Sequence, residues 1–282
     1  MITINTNLSG IMIGRQIDKT NTDLNKSFMR LSSGVRINSA GDDPGGFGMT
    51  QRLTAEIRGN NMVMRGVNDA ASLFQIADGA TSSMVDSLQR MREIAVQASS
   101  GTSTTTDRNN LNAEFLQLWS EIDRIATGTT YANISPLMGS IASALTIPLT
   151  AYSGGASLVL GAVLSHAVTF SSLAGCTTLN LTGTAGGTSA ALSTISGLDV
   201  AIASLSSMRA GIGVMQTRLE SVASNLSQFI EAGEAARSRI LDTDIANEVA
   251  NMSRTSILKQ AGMSVLAQAN QQFGSILSLL RS

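Results

Sequence analysis

The chain has 282 residues, 43% of them hydrophobic, and only 14% charged against roughly 25% in an ordinary soluble domain. The charges are unevenly placed: 74 consecutive residues, Ile125 to Leu198, contain no Lys, Arg, Asp or Glu. A net charge of -1, from 19 basic and 20 acidic residues interspersed along the same segments, excludes the clustered cationic footprint of a nucleic-acid binder, and the hydrophobic fraction argues against a wholly disordered chain.

Near the N-terminus, Leu24, Phe28, Leu31 and Val35 recur at spacings of four, three and four, the seam of a modest helix. The stretch LSSGVRINSAGDD, residues 31–43, interrupts it. Gly34 and Gly41 tolerate positive φ there, and Asp43 before Pro44 reads as an N-cap with proline at the first helical position. This break is expected to act as the joint between a terminal arm and a rigid bundle. The strongest periodic signal follows: Val63, Val67, Ala70, Phe74, Ala77, Thr81, Met84, Leu88, Met91, Ala95 and Ala98 alternate spacings of four and three. They predict a helix of about 36 residues, roughly 54 Å long, whose stripe needs a partner helix. A polar loop of about a dozen residues permits antiparallel return, with Thr106 or Asp107 as cap, into a second seam of Leu111, Phe115, Leu118, Ile122 and Ile125.

The uncharged middle is rich in Gly, Ser and Thr, with short apolar runs. Val168 with Phe170 and Leu179 with Leu181 suggest short strands, and Gly154-Gly155 and Gly186-Gly187 suggest turns. Downstream, Ala201, Leu205, Met208, Ile212, Met215, Leu219, Val222, Leu226 and Phe229 form a third long seam. Ile245, Val249 and Met252 begin a last one, with Ile257, Leu258 and Leu266 beyond. The fold class expected is mainly α, with long antiparallel heptad helices from both chain ends forming a coiled-coil bundle around a small β-containing excursion. The expected divisions are an N-terminal arm (1–40), N-terminal rod helices (41–130), a variable excursion (131–198), a C-terminal rod helix (199–236) and a C-terminal arm (237–282).

Energetics sets the arms apart. Ordering about 35 residues costs roughly 1–2 kcal/mol each, while eight to ten buried seam side chains return about 1.5–3 kcal/mol each. The arms are therefore expected to order only when paired with each other and with neighbouring subunits, and seam packing is the role expected for their apolar residues.

Catalysis finds no support. His166 has no second His and no nearby charge to orient it, and Cys176 has no basic neighbour to lower its pKa. One Cys and one His exclude a multi-thiolate or two-His metal site. Asp242, Asp244 and Glu248 read as an acidic helix start favoured by the helix dipole, not as a metal site. No cofactor is expected. Residues 156–174 are the one candidate membrane span, but their Ser, Thr and His content and uncharged flanks argue against it, so no membrane partner is expected. The start MITINTNLSG lacks the basic and apolar regions of a secretory signal, so export by that route is not expected.

Three segments carry a resemblance: LSSGVRINSAGDD, then QRMREIAVQASS at 89–100, then ARSRILDTDIANEVANMSRTSILKQAGMSVLAQANQ at 236–271. Together, over about 1–130 and 200–282, they resemble bacterial flagellin. The resemblance implies a structural filament subunit for motility, exported unfolded by the flagellar type III apparatus and placed in the extracellular flagellum. It implies a homopolymer, an export chaperone on the C-terminal segment, and cap and hook-junction proteins as partners. It also implies that the terminal residues Leu24, Phe28, Leu31, Val35, Ile245, Val249, Met252, Ile257, Leu258 and Leu266 form an inner coiled coil. Arg90, Ile94 and Glu114 match positions at which flagellins meet neighbouring subunits or the animal Toll-like flagellin receptor, with Ile94 where the family has Leu. The family usually follows Asp-Asp with two Ala and a Gly, whereas Pro44, Gly45 and Gly46 stand here; Gln272-Phe273-Gly274 replaces its usual Pro-Gln pair. Alternative readings are a hook-filament junction protein and a type III secreted coiled-coil translocator.

Overall fold

The computed structural model describes residues 7–132, 134–137, 146–148, 157–159 and 187–281. Five helices and one strand pair make up these residues: α1 (Leu8–Ser33), α2 (Pro44–Ser99), α3 (Thr105–Gly128), β1 (Thr146–Pro148), β2 (Ser157–Val159), α4 (Gly187–Leu241) and α5 (Ile245–Arg281). β1 and β2 pair antiparallel, with Ile147 opposite Leu158. The expected mainly helical architecture with a β-containing middle is observed. Two compact units divide the chain, residues 1–57 with 231–282 and residues 58–230.

In the unit of residues 58–230, the seam Val63 to Ala98 is buried at all eleven positions. Thr81, the one hydroxyl among them, is satisfied by donating to the Ala77 carbonyl at 2.8 Å. Phe115 and Ile122 of α3 and Leu205, Met208, Ile212, Met215 and Leu219 of α4 close the same core. Cross-helix ion pairs give the directions. Arg92 meets Asp199 at 2.6 Å and Arg209 meets Asp78 at 3.1 Å, so α4 runs antiparallel to α2.

Several boundaries differ from the sequence expectation. α2 has 56 residues rather than about 36, because it runs unbroken from Pro44, the expected start, where the Asp43 carboxylate accepts from the Gly46 N–H at 3.0 Å. Gly46 fits closely at that start: a Cβ would lie 2.8 Å from the Ile37 Cδ1 and against the Asp43 carboxylate, so these side-chain ends would have to shift. The loop to α3 spans only residues 100–104. Thr104, not Thr106 or Asp107, caps α3; its hydroxyl accepts from the Asp107 N–H while the Asp107 carboxylate accepts from the Thr104 N–H, a capping box. Arg108, which the sequence pattern did not single out, fastens this loop by donating to the Ala98 and Ser100 carbonyls at 3.1 and 3.2 Å.

α4 begins at Gly187, within the uncharged stretch, so Gly187 is helical and not a turn residue. The physical reason is that Ala191, Thr194 and Leu198 are buried and extend the seam backwards at the same three-four spacing. Phe229, expected as the last residue of that seam, is exposed. α4 contains the one helix segment among the described residues, Ala191–Leu241, long and apolar enough to cross a membrane by length and composition, yet its seam is spent on the core. The expectations for residues 160–174, Gly154, Gly155, His166, Val168, Phe170, Cys176, Leu179 and Leu181 lie outside the described residues.

Candidate assembly surface

In the unit of residues 1–57 and 231–282, α1 and α5 lie antiparallel. Arg30 faces Glu248 at 3.9 Å near one end. Ile17 lies against Gly262 midway, where a Cβ would sit 3.2 Å from the Ile17 Cγ1. At the far end Asn7 donates to Asn270 at 3.2 Å. The buried and half-buried positions of the two helices include the rows Ile13, Ile17, Thr20, Leu24, Ser27 and Leu31 on α1, and Glu248, Met252, Thr255, Lys259, Gly262 and Leu266 on α5. Both rows keep a four-three alternation, the coiled-coil spacing. Their chemistry is mixed, with hydroxyls, a carboxylate, an ammonium and a glycine among the aliphatics.

The predicted coiled-coil residues therefore divide. Leu24, Leu31, Met252 and Leu266 lie in this seam, and Val35 forms an isolated bridge with Asp242. Phe28 is 53% exposed and Ile257 66% exposed, and Ile245, Val249 and Leu258 are exposed as well. They do not join the pairing of α1 with α5: Phe28, Val249, Ile257 and Leu258 fall between the seam positions of their helices at about 100° per residue, and Ile245, in register with Glu248, is the first residue of α5, where the row runs out. Periodicity in the sequence could not separate them, since apolar residues occupy several faces of each arm. Ile11, Met12, Met29, Met263 and Val265 are further exposed apolar residues that the sequence pattern missed. A helix apolar on several sides needs several neighbours.

The joint between α1 and α2 is closely bonded. Gly34 ends α1 in the left-handed region at φ 71°, its N–H donating to the Arg30 carbonyl at 2.8 Å, whereas Gly41 does not adopt positive φ. The Arg36 N–H donates to the Leu241 carbonyl at 2.6 Å, and the Thr243 N–H donates to the Gly34 carbonyl at 3.0 Å. The Arg36 guanidinium donates to the Ile240 carbonyl at 2.8 Å, satisfying the C-terminal turn of α4. Asp42 accepts from the Ser39 N–H, the Ser39 hydroxyl and the Asn38 N–H, and these bonds, the Ser39 backbone foremost, hold its carboxyl below the usual range. Asp244 starts α5: it accepts from the Asn247 N–H at 3.1 Å, which likewise lowers its pKa. Asp242, Asp244 and Glu248 thus each have a local structural role, and no group of three or more potential metal ligands occurs among the described residues.

Arg90, Ile94 and Glu114 are not a single surface. The Arg90 guanidinium grips Glu114 at 2.8 and 3.1 Å and Glu93 at 3.0 Å on the exposed side of α2 and α3. Ile94 is 1% exposed, inside the core, because position 94 extends the buried side of α2 between Met91 and Ala98. The face available to a neighbour at this place is therefore made by Arg90, Glu93 and Glu114, with Ile94 supporting it from behind.

These features define a class: a helical structural protein whose two chain ends zip together and whose terminal helices leave apolar side chains in water. Residues 4–142 match the model for the bacterial flagellin N-terminal helical region, and residues 195–280 match the model for the bacterial flagellin C-terminal helical region. Flagellin of Halalkalibacterium halodurans is 37% identical over 278 residues, covering 99% of both chains. The flagellar filament 33 kDa core protein of Treponema phagedenis is 33% identical over 284 residues, and flagellin of Xenorhabdus nematophila 36% over 310, each alignment covering 99% of both chains. The chain belongs to the bacterial flagellin family.

Proposed function

We propose that this chain is the structural subunit of a bacterial flagellar filament, polymerising by head-to-tail contacts that do not close on themselves, and that it serves swimming motility. The supporting observation is the exposed apolar set of the arms, Phe28, Ile245, Val249, Ile257 and Leu258, which the α1–α5 pairing leaves uncovered. A neighbour covering one such side chain removes further apolar area worth about 25 cal/mol per Å², and many repeated contacts together offset the roughly 4–15 kcal/mol of freedom lost on association. The subunit acts outside the cell, reached through the flagellar type III apparatus, with a chaperone covering the C-terminal arm before export and cap and hook-junction proteins bounding the filament. It has no catalytic role. The Arg90, Glu93 and Glu114 face serves contacts between subunits, and recognition by the animal Toll-like flagellin receptor would use that same face.

The test is polymerisation of the purified chain after salt nucleation. Negative-stain microscopy is expected to show long tubes, and removal of residues 1–40 is expected to abolish them while the helical bundle persists by circular dichroism. Binding to liposomes without any tubes would support the translocator reading instead. A cell reporter carrying the receptor and giving no response to monomer would remove the receptor from the partner set.

A further inference from the structure

In a helical hairpin the connecting loop sets how far one helix can slide along the other. α1 and α5 have no such loop, because α2, α3 and α4 all intervene in the chain. Their seams also repeat. Sliding α5 by seven residues toward the N-terminus of α1 presents another four-three row, with Thr255 in the place of Gly262 or Glu248 in the place of Thr255. Packing alone therefore leaves heptad-shifted registers close in energy, as in any coiled coil of weakly differentiated seam residues.

One pair breaks this degeneracy. Glu248 is 7% exposed and its partner across the seam is Arg30, which also donates through Nε to the Arg36 carbonyl at 3.1 Å. One heptad along α1 from Arg30 stands Asp23. A slide of seven residues in that direction would exchange a cation for a carboxylate opposite a buried carboxylate. A slide the other way would carry Glu248 past Ser33, where α1 ends. A buried charge deprived of its partner is strongly unfavourable, and a like charge in its place more so. The backbone bonds from Arg36 to Leu241 and from Thr243 to Gly34 join the same ends of the two helices and would also have to open for a slide, so the pair selects the register together with them.

We propose that Arg30 and Glu248 are register-setting residues of the terminal coiled coil: they select one heptad alignment of α1 on α5, and with it which apolar side chains of the arms face outward. This selection goes beyond the filament reading and rests on it, because the arms are expected to order only beside neighbouring subunits, so the salt-polymerised sample decides the test.

The test uses the full chain with Cys176→Ser as background and two reporter pairs. Asn7→Cys with Asn270→Cys reports the observed register, and Asn7→Cys with Met263→Cys reports the register shifted by one heptad. Disulfides at monomer mass on a denaturing gel are scored in soluble and in salt-polymerised protein, so that failure of polymerisation is read separately. The parent is expected to favour the 270 cross-link by at least about tenfold, Arg30→Lys to keep that preference, and Glu248→Gln to lower it by about tenfold. Asp23→Arg with Arg30→Asp, which moves the cation one heptad, is expected to transfer cross-linking to position 263. An unchanged preference in Glu248→Gln and in Asp23→Arg/Arg30→Asp would overturn the proposal, as would Arg30→Lys behaving like Glu248→Gln. If Glu248→Gln forms neither cross-link, the cation-shifted variant decides: cross-linking at 263 sustains the proposal, and none at either position overturns it.

Discussion

Two phenylalanines with opposite surroundings offer a direct trial of the division between core and assembly surface. Phe74 of α2 is 0% exposed in the core of the unit of residues 58–230. Phe28 of α1 is 53% exposed and lies outside the α1–α5 seam. Phe74→Ala removes a fully buried ring and leaves a cavity among α2, α3 and α4, at a cost of about 3–5 kcal/mol. For a unit of this size that corresponds to a fall of about 10 °C in melting temperature, measured by circular dichroism on the unpolymerised chain. Phe28→Ala removes a ring already half in water, so the same melt should move by no more than the scatter of about 0.5 kcal/mol usual for surface positions. Its effect belongs to polymerisation. A neighbouring subunit covering the exposed half of the ring contributes about 0.8–1.6 kcal/mol, so its removal should raise the critical concentration, measured by sedimentation after salt nucleation, by about 4- to 15-fold. A Phe28→Ala chain that polymerised at the parental critical concentration would refute the assembly role of that face. A Phe74→Ala chain that melted at the parental temperature would refute the core assignment.

Further outcomes are expected at the helix ends. Gly46→Ala should destabilise by about 1–3 kcal/mol in urea unfolding, since its Cβ meets Ile37 and the Asp43 cap, whereas the neighbouring Gly45→Ala, clear of close contacts beyond Asp43, should not. Gly34→Ala should cost about 1 kcal/mol, because φ 71° is unfavourable for a residue with a Cβ. Thr104→Ala should cost about 1 kcal/mol by the same measurement, through loss of the α3 cap. The hydroxyl of Thr104 first, and then its N–H, holds the Asp107 carboxyl below its ordinary value of 3.8. A carboxyl lowered in the folded state contributes stability in full above 3.8 and loses it as pH falls through the lowered value, so Asp107→Asn should flatten the stability-pH curve in that acid range. An unaltered slope in Asp107→Asn would show that this carboxylate does not contribute.

How much was legible beforehand varied with how one-sided each helix is. α2 was read correctly at all eleven seam positions because only one of its faces is continuously apolar, and burial of one stripe is all that a helix in a three-helix core requires. α4 extends further toward the N-terminus than the seam from Ala201 predicts, because the row of Ala191, Thr194 and Leu198 continues through the uncharged stretch. In the arms the seams predict the pairing of the chain's two ends but not which side chains make it: Phe28, Val249, Ile257 and Leu258 fall off the paired rows, and Ile245 is exposed at the start of α5. Arg36 and Arg108 carry no periodic signature at all, since their roles are to donate to carbonyls brought near by the turn of the chain.

From residues alone come the number and spacing of the long seams, the interruption at Gly34 to Asp43, the cap ahead of Pro44 and the resemblance of both chain ends to flagellin, because heptad spacing, cap chemistry and glycine tolerance are local properties written in consecutive residues. The uncharged stretch from Ile125 to Leu198 marks no structural boundary at its downstream end, where α4 passes through it unbroken from Gly187. Tertiary structure alone decided which of several apolar faces pairs within the chain. That choice depends on residues far apart in sequence, Arg30 with Glu248 and Ile17 with Gly262, and on the small or polar side chains that let two helices approach. An arm with apolar side chains on several faces has no preferred inside until a particular partner, in a particular register, supplies one.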